Sequence, residues 1–384
     1  MVVYEPASLF VKQPRWDYRL RGVFFAIWLL FSALVVFLLG SPIIPLIFFA
    51  PRLHRRVADG IVGLWLQLPC VLLRHLYGFQ AHVVGHRIRH DRPALIIMNH
   101  RTSLDWMYFW PALSQMDPRL LCTEKITMKS VLRWVPGAGW AMQVASYIFL
   151  RRQFAQDEAT MARHLRYYSS IGNPYQVLIF PEGTDKCPKA TARSSLYAQK
   201  NGLADFKYLL QPRVTGFVHM IQEMRRCGYI DFVYDVTIGF GDRLVQNELD
   251  LLRHGELAKH VHFRVEEVAI DRLPADDEGL KEWLMGRWAE KEKILKSFYD
   301  RTDNSKTFEM PAGGQDWPLQ TRDAIFQNIL AGCLSVVINV WALGLWQWPA
   351  QRLYVLVVCT LFAWIGYRYD GWERITADSF NPPP

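Results

Sequence analysis

The chain has 384 residues, of which 51% are hydrophobic, and a formal net charge of +8. This length can bury a sizeable core and suggests one large domain or two modest ones. The positive charge suits an anionic partner, such as nucleic acid, an anionic lipid surface or a phosphorylated small molecule. The six cysteines show no paired spacing, which argues against a disulfide framework or a zinc knuckle and favours a reducing, cytosol-facing environment.

Residues 1–78 are predicted to anchor the chain in a membrane. Residues 22–50 carry no charged side chain and are long enough to cross a hydrocarbon core of about 30 Å. Pro42 and Pro45 would interrupt a helix within this stretch, so a hairpin that enters and leaves on one side fits as well as a single span. A second apolar stretch, 61–79, contains polar and basic residues and is expected to lie along the membrane interface.

Residues 79–316 show the pattern of an α/β domain. Short apolar runs alternate with segments of helical length, which predicts a largely parallel sheet with flanking helices. The runs predicted to be strands are 94–98, 147–150, 176–180 and 231–240. Residues 277–300 carry a charged, amphipathic pattern that predicts a helix packed on its apolar face.

Residues 317–384 contain two more apolar stretches, 324–346 and 353–367, joined by a short polar turn. They are predicted to form a transmembrane helical hairpin with aromatic residues at its boundaries. The second stretch is short for a full crossing, so the pattern leaves the number of spans open.

The strand at 94–98 is followed at once by Asn99 and His100, with Asp105 five residues further on. Ligands of open α/β sheets bind where the strands end on their carboxyl side. Five residues of regular helix turn through about 500°, so His100 and Asp105 can meet only if His100 lies in the loop before a helix that begins near Asp105. Asp105 would then hold one ring nitrogen and leave the other as a base.

The motif offers no nucleophile of its own, because it contains neither a G-x-S-x-G turn nor a cysteine. The attacking hydroxyl would therefore come from the substrate, which indicates group transfer. A histidine that caps a helix or is satisfied in the core, with Asp105 merely exposed, explains the same spacing.

A second predicted strand, 176–180, leads into Pro181, Glu182, Gly183 and Thr184. Gly183 would let backbone N–H groups approach an anion, and Glu182 could accept a hydrogen bond from a substrate hydroxyl. An ordinary turn explains these residues equally well when they are considered alone.

Together, four ordered motifs resemble those of the glycerolipid acyltransferase superfamily, which includes the 1-acylglycerol-3-phosphate acyltransferases. NHRTSLD at 99–105 is similar to its N-H-x4-D motif, and FPEGT at 180–184 to its F-P-E-G-T motif. SYIFLRR at 146–152 resembles its G-x-I-F-I-x-R motif, and PRVTGF at 212–217 resembles its proline-containing fourth motif.

Two further stretches, VPGAGWAMQ at 135–143 and KNGL at 200–203, are similar to the lysocardiolipin acyltransferase branch. The resemblance implies transfer of an acyl chain from acyl-CoA, a co-substrate, to a free hydroxyl of a lysophospholipid, with no tightly bound cofactor and no metal. It also implies an endoplasmic reticulum membrane protein with a cytosolic catalytic domain. The expected partners are acyl-CoA, lysophospholipid and membrane lipid; basic and aromatic residues do not interleave as nucleic-acid binding would require.

The resemblance also implies roles for single residues. His100 would deprotonate the acceptor hydroxyl, Asp105 would orient the imidazole, and backbone N–H groups near the start of the following helix are candidates to bind the oxyanion. Lys129 and Arg152 could pair with phosphate, although a solvated surface cation is the alternative for each. The complete set of predicted substrate-binding residues is Asn99, Lys129, Arg152, Glu182, Gly183, Thr184 and Arg213.

The chain departs from the family pattern at Asp185, where many relatives have arginine, and at Ser146, where many have glycine. An anion at position 185 would repel a dianionic phosphomonoester, so we expect a phosphodiester acceptor such as lysophosphatidylinositol, lysophosphatidylglycerol or lysocardiolipin. The alternatives are a lysophosphatidic acid acyltransferase, a CoA-independent transacylase and a non-catalytic lipid-binding protein. HVVGHRIRH at 82–90 predicts a strand and turn, not a metal-binding helix.

Overall fold

The computed structural model describes residues 16–301 and 306–380. The start of the predicted anchor, residues 1–15, lies outside the described residues, as do residues 302–305 and 381–384. The helices are α1 (Trp16–Gly40), α2 (Leu46–Phe49), α3 (Pro51–Tyr77), α4 (Asp105–Met116), α5 (Leu120–Thr123), α6 (Ala138–Val144), α7 (Phe154–Ile171), α8 (Pro188–Lys200), α9 (Val214–Arg226), α10 (Glu248–His254), α11 (Asp277–Asp300), α12 (Thr321–Gln347), α13 (Pro349–Tyr369) and α14 (Trp372–Phe380). The strands are β1 (Gln80–Gly85), β2 (Ala94–Met98), β3 (Glu124–Lys129), β4 (Ile148–Leu150), β5 (Gln176–Ile179), β6 (Phe232–Phe240), β7 (His260–Ala269) and β8 (Gln315–Asp316).

The described strands form one sheet in the order β4-β3-β5-β2-β6-β7-β1-β8. Strands β4, β3, β5, β2 and β6 run parallel, β7 pairs antiparallel with β6 and parallel with β1, and β8 is antiparallel to β1. The prediction of a largely parallel α/β sheet is therefore confirmed. The central strand β2 is buried along its whole length, as expected when helices cover both faces of a sheet.

Helices pack on the two faces of the sheet in separate layers. Alternate residues of β2 divide between them: Ile96 belongs to the apolar cluster that includes Leu73 of α3 and Met107 of α4. Ile97 belongs to the cluster that includes side chains of α7, α9 and α11. The period-two alternation of a strand thus places α1, α3 and α4 on one side of the sheet and α7, α9 and α11 on the other.

Strands β3 and β7 were not predicted. Strand β3, EKITMK, begins with Glu124 and Lys125, which the sequence gives no reason to bury. Both side chains are buried because Lys125 binds Asp59 and Glu124 accepts a hydrogen bond from Trp110 Nε1 at 3.2 Å. In β7, HVHFRVEEVA, polar residues interrupt the apolar run that marks a strand.

The N-terminal anchor is a hairpin of α1 and α3, interrupted by a 3₁₀ turn at Ser41–Ile43 and the short helix α2. The stretch predicted to lie along the interface is part of α3, which begins at Pro51, and half of its most apolar window is buried within the protein. Among the described residues, four segments are long and apolar enough to cross a membrane: Trp16–Phe49, Pro51–Tyr77, Thr321–Gln347 and Pro349–Tyr369.

The predicted C-terminal hairpin is confirmed as α12 and α13. Only 17% of the most apolar window of each helix is buried, so their apolar side chains face outward, as lipid contact requires. Helix α14, which was not predicted, follows them and packs against α7, with Trp372 and Ala377 buried. Arg133 holds α14 in place by ion pairs with Asp370 and Glu373. The domain limits at 78/79 and 316/317 stay predictions.

A buried ion network joins α3 to the sheet. Asp59 accepts hydrogen bonds from Arg55 Nε at 3.0 Å, from Lys125 Nζ at 2.7 Å and from the Tyr175 hydroxyl at 2.6 Å. Arg55 also donates to the hydroxyl of Ser146, two residues before β4, at 2.8 Å. All these groups are removed from water, so each charge depends on the others for its stability.

We expect Asp59→Asn to destabilise the protein by about 3–5 kcal/mol, because two buried cations would lose their only anionic partner in this network. The apparent Tm of the detergent-purified protein should fall by on the order of 10 °C. Asp271→Asn, at an exposed position, is the matched control and should leave the Tm within about 1 °C. Equal Tm values for the two variants would contradict a stabilising role for the network.

Candidate active site

The site lies where two parallel strands end side by side. Strands β2 and β5 are hydrogen-bonded neighbours, with Ile97 opposite Ile179, so the segments that follow them meet at the carboxyl edge of the sheet. The backbone N–H of Lys186 donates to the carbonyl of His100 at 2.9 Å, and Arg101 Nη1 donates to the carbonyl of Lys186 at 3.0 Å. Strand pairing and these loop contacts bring the NHRTSLD and FPEGT motifs together.

His100 and Asp105 are in direct contact. His100 lies in the loop after β2, and Asp105 is the first residue of α4, which is the arrangement that lets their side chains meet. The Nδ1–H of His100 donates to Asp105 Oδ2 at 3.0 Å, since a carboxylate oxygen can only accept. The other ring nitrogen, Nε2, has no hydrogen-bond partner within residues 16–301 and 306–380, and it is therefore available to accept a hydrogen bond.

The Asp105 carboxylate is fully buried and saturated with hydrogen bonds. Its Oδ2 also accepts from the backbone N–H groups of Arg101 at 2.5 Å and Thr102 at 3.0 Å, and its Oδ1 accepts from the Thr102 hydroxyl at 2.8 Å. These donors, with the N-terminal end of α4, compensate the buried negative charge. Asp105 is thereby fixed as the support of one histidine tautomer.

The first backbone N–H groups before α4 are not free for an oxyanion. Those of Arg101 and Thr102 donate to Asp105, that of Ser103 donates to the Gln246 carbonyl, and that of Leu104 donates to the Thr102 hydroxyl. The expectation that donors at the start of this helix bind the oxyanion is wrong for these four groups, because Asp105 and the loop itself already use them.

Glu182 accepts hydrogen bonds that hold the backbone of the loop containing His100. Its Oε1 accepts from the backbone N–H of His100 at 3.2 Å, and its Oε2 accepts from that of Leu210 at 3.3 Å. Burial raises the pKa of Glu182 to about 8, against the lowering effect of these two donors. Both oxygens are occupied, so the geometry favours a positioning role, and contact with substrate stays a prediction.

Asn99 is also held by the backbone. Its amide nitrogen donates to the Ile238 carbonyl at 3.2 Å, and its amide oxygen accepts from the Ile238 N–H at 2.9 Å. This pair continues the contact between β2 and β6 and fixes the backbone next to His100. Substrate binding by Asn99 likewise stays a prediction.

Phe180 and Gln246 belong to the site but were not identified from the sequence. The Phe180 ring stacks on His100 with centroids 4.1 Å apart, which limits rotation of the imidazole. Gln246 Nε2 donates to Asp185 Oδ2 at 2.9 Å and to the Arg101 carbonyl at 3.2 Å, which links both motif loops. The loop after β6 carries no pattern that singles out Gln246.

Two of the predicted phosphate-binding residues, Arg152 and Arg213, lie near Asp185 in the region of Gly183, and these three charged residues are called the cationic rim. Gly183 has φ +70°, and a Cβ there would lie 3.0 Å from the side chain of Arg213. Burial lowers the pKa of Arg152, while Asp185 opposes that shift and Arg213 adds to it, so the three charges lie within electrostatic range. Arg152 itself has φ +64°, an uncommon conformation for a non-glycine residue that often marks functional sites.

The other two predicted binding residues lie near this rim. Lys129 is exposed at the end of β3. It pairs with Leu150 of β4, and Leu150 is two residues before Arg152. Thr184 Oγ1 lies 3.4 Å from Asp185 Oδ1. The positions suit contact with an anionic ligand, and binding by both residues stays a prediction.

An apolar cavity of about 340 Å³ lies between the N-terminal hairpin and α4. Leu104 and Trp106, which flank Asp105, form part of its wall. Most of the rest is formed by apolar side chains from α1, α3 and the segment from β3 to β4, among them Phe25, Leu66, Met128 and Met142, and α10 adds Glu248 and two leucines. A long hydrocarbon chain is the kind of ligand that such a wall accommodates.

The described residues contain no group of three or more His, Cys, Asp or Glu side chains suited to hold a metal ion. In the HVVGHRIRH segment, His82 lies in β1 and its Nε2 is 3.1 Å from Nδ1 of His260.

Comparison with known proteins gives consistent results. Residues 80–241 match the acyltransferase family, and residues 252–323 match the family described as acyltransferase C-terminus. The chain is 35% identical to lysophosphatidylinositol acyltransferase 10 of Caenorhabditis elegans, over 89% of this chain and 82% of that protein. It is 40% identical to lysocardiolipin acyltransferase 1 of Danio rerio, over 77% and 75%. It is 29% identical to a probable 1-acyl-sn-glycerol-3-phosphate acyltransferase 5 of Arabidopsis thaliana, over 75% and 72%.

The raised pKa of Glu182 predicts that the difference in Tm between the wild type and Glu182→Gln depends on pH. Between about pH 4.5 and pH 8 the folded protein retains a proton that the unfolded chain has lost. The stability that this proton contributes is fully present below pH 4.5 and is lost as the pH rises through about 8. The wild-type Tm should therefore fall relative to the Tm of Glu182→Gln between pH 5 and pH 9. A gap that is constant with pH would contradict the raised pKa.

Proposed function

The chain belongs to the acyltransferase family, and on that premise we propose that it transfers an acyl chain from acyl-CoA to the free hydroxyl of a lysophospholipid. The observation that carries the proposal is the His100 imidazole, held on Nδ1 by Asp105 and free on Nε2. The resemblance of the sequence motifs to acyl-CoA-dependent enzymes supports the choice of donor.

In the proposed reaction, His100 Nε2 removes the proton of the acceptor hydroxyl as its oxygen attacks the thioester carbonyl. Asp105 stabilises the imidazolium that results. As the tetrahedral intermediate collapses, the C–S bond breaks and the CoA thiolate leaves. The thiolate takes the proton from His100, so the products are the acylated phospholipid and CoA-SH, and the enzyme returns to its initial state.

The apolar cavity supports a place for the acyl chain. Its wall reaches the residues on either side of Asp105, so a chain lying in it would end near the catalytic pair. Much of that wall comes from α1 and α3, two of the candidate membrane spans. Both lipid substrates could therefore approach from the bilayer, and we propose an endoplasmic reticulum location with the α/β domain on the cytosolic side.

The cationic rim supports a phosphodiester acceptor. Arg152, Arg213 and Asp185 together carry a formal charge of +1, which matches the single negative charge of a phosphodiester. A phosphomonoester approaches a charge of −2 at neutral pH and would meet the Asp185 carboxylate directly. The names of the relatives from Caenorhabditis elegans and Danio rerio agree with lysophosphatidylinositol or lysocardiolipin as the acceptor.

A lysophosphatidic acid acyltransferase is the second candidate. The observation in its favour is that Arg152 and Arg213 have no ion-pair partner within 4 Å among the residues described, so the rim can supply two cations to one phosphate. Acceptor profiling separates the two proposals.

We expect His100→Ala to lower the rate of acyl transfer by at least about 10²- to 10⁴-fold, because the general base is removed. The assay uses detergent-purified protein, one labelled acyl-CoA and a panel of lysophospholipids. His90→Ala is the matched control, since His90 precedes β2 at the opposite edge of the sheet. Transfer that survives in His100→Ala would overturn the mechanism, whereas folded wild-type protein without any transfer would favour a lipid-binding protein.

Asp185→Arg should shift the acceptor preference towards lysophosphatidic acid. Replacing an anion by a cation favours the more highly charged phosphate, and an effect of roughly 1 kcal/mol corresponds to about a fivefold change in the ratio of kcat/KM values. Asp271→Arg makes the same change of charge at an exposed site and should leave the ratio unchanged. An unchanged ratio in Asp185→Arg would show that Asp185 does not determine the acceptor preference.

A further inference from the structure

Helix α8 presents a cationic stripe on its outer face. A regular helix advances by about 100° per residue, so Lys189, Arg193 and Lys200 lie within an arc of about 40°, and Leu196 lies beside them. All four side chains are exposed, whereas Ala198, on the opposite side of the helix, is fully buried. The stripe thus points away from the protein over about 16 Å of helix.

The positive charges of this stripe have no internal counter-ions. Residues 188–200 contain no Asp or Glu. In the described part of the chain, Lys189, Arg193 and Lys200 make no ion pair within 4 Å. The nearby Asp205 carboxylate accepts from the Ser195 hydroxyl at 2.9 Å instead. A row of unpaired cations with one regular orientation is suited to a polyanionic ligand.

The inner face of α8 is tied to the catalytic loops. Lys186, two residues before α8, donates its backbone N–H to His100 and its Nζ to the Thr191 hydroxyl at 3.2 Å. The Ser194 hydroxyl accepts from the backbone N–H of Gln211 at 2.8 Å. The stripe therefore begins three residues after a backbone contact with His100, on a helix that these bonds hold in place.

The layers of the fold separate the segment that follows α8 from the N-terminal membrane hairpin. The segment that follows α8 packs through Phe206 and Leu209 into the apolar cluster of α7, α9 and α11. The N-terminal hairpin and the apolar cavity lie on the other side of the sheet, with Phe25 and Leu66. A water-soluble anion therefore fits the stripe better than a bilayer surface does.

We propose that the outer face of α8 binds the phosphates of the nucleotide part of acyl-CoA. This inference rests on the proposed donor. The nucleotide carries a diphosphate and a 3′-phosphate, and the pantetheine arm holds both away from the thioester. With the acyl chain in the apolar cavity and the thioester at His100, the nucleotide extends over α8. Tyr197, which is 53% exposed beside the stripe, offers a ring face for the adenine.

The test compares two variants that each remove two positive charges. Arg193→Gln/Lys200→Gln alters the stripe but leaves Lys189, next to the catalytic loops, in place. Arg272→Gln/Lys281→Gln is the control; both positions lie outside α8, next to Leu273 and Leu280 of the cluster of α7, α9 and α11. We expect the stripe variant to raise KM for acyl-CoA about 10-fold while kcat and KM for the lysophospholipid stay within twofold of wild type.

A donor without the 3′-phosphate, acyl-dephospho-CoA, identifies the group that is bound. Its KM should exceed that of acyl-CoA with wild-type protein, and the difference should shrink in the stripe variant. An equal KM for acyl-CoA in the stripe and control variants overturns the proposal. So does a stripe variant that loses only its dependence on the phosphatidylglycerol content of mixed micelles, because α8 would then contact the membrane.

Direct binding separates failure of this inference from failure of the proposed function. Titration of His100→Ala with adenosine 3′,5′-bisphosphate needs no acyl transfer. If adding the stripe substitutions to His100→Ala weakens the binding of this nucleotide about 10-fold, the site is supported even if wild-type protein acylates no lysophospholipid. If the wild type transfers acyl chains but the stripe substitutions leave the nucleotide affinity unchanged, the proposed acyltransferase function stands and the proposed nucleotide site on α8 is overturned.

Discussion

Parallel hydrogen bonding of β2 with β5 and β6 is the constraint on which the candidate site depends. It brings the ends of strands that are far apart in sequence to one edge, where polar side chains can meet. The same pairing lets Asn99 bond to β6 and lets Glu182 bond to the His100 loop. His100 and Asp105 are close in sequence, but the groups outside their loop that fix their orientation are brought to them by strand pairing in the sheet.

The second organising feature is the attachment of the membrane hairpin to the sheet by buried charges. Arg55 reaches from α3 to the Ser146 hydroxyl, and Ser146 has φ +57°, a conformation that glycine adopts without strain. The residue that departs from the family pattern therefore keeps the left-handed backbone and adds a hydrogen bond to α3. Ser146 lies six residues before Arg152 of the cationic rim, on the segment that contains β4.

Apolar and polar surfaces are segregated across the molecule. The cavity beside Leu104 is shared between membrane helices and the α/β domain, while the segment that follows α8 packs into the layer on the other side of the sheet. A lipid and a water-soluble donor could thus reach His100 from different sides. Such an arrangement explains why the site lies at the boundary of the two layers and not in the interior of either one.

The sequence by itself determined the α/β class, the four strands that were predicted from apolar runs, the apolar hairpins and the geometry open to His100 and Asp105, because these depend on local periodicity and short spacing. Tertiary structure decided the rest. The charge of Lys125 in β3 can be buried because Asp59, on a distant helix, compensates it. Phe180 and Gln246 contact the site only once the strands align, and Glu182 and Asn99 turn their polar atoms to the backbone. The burial and the partners of a polar side chain depend on contacts remote in sequence, which periodicity does not encode.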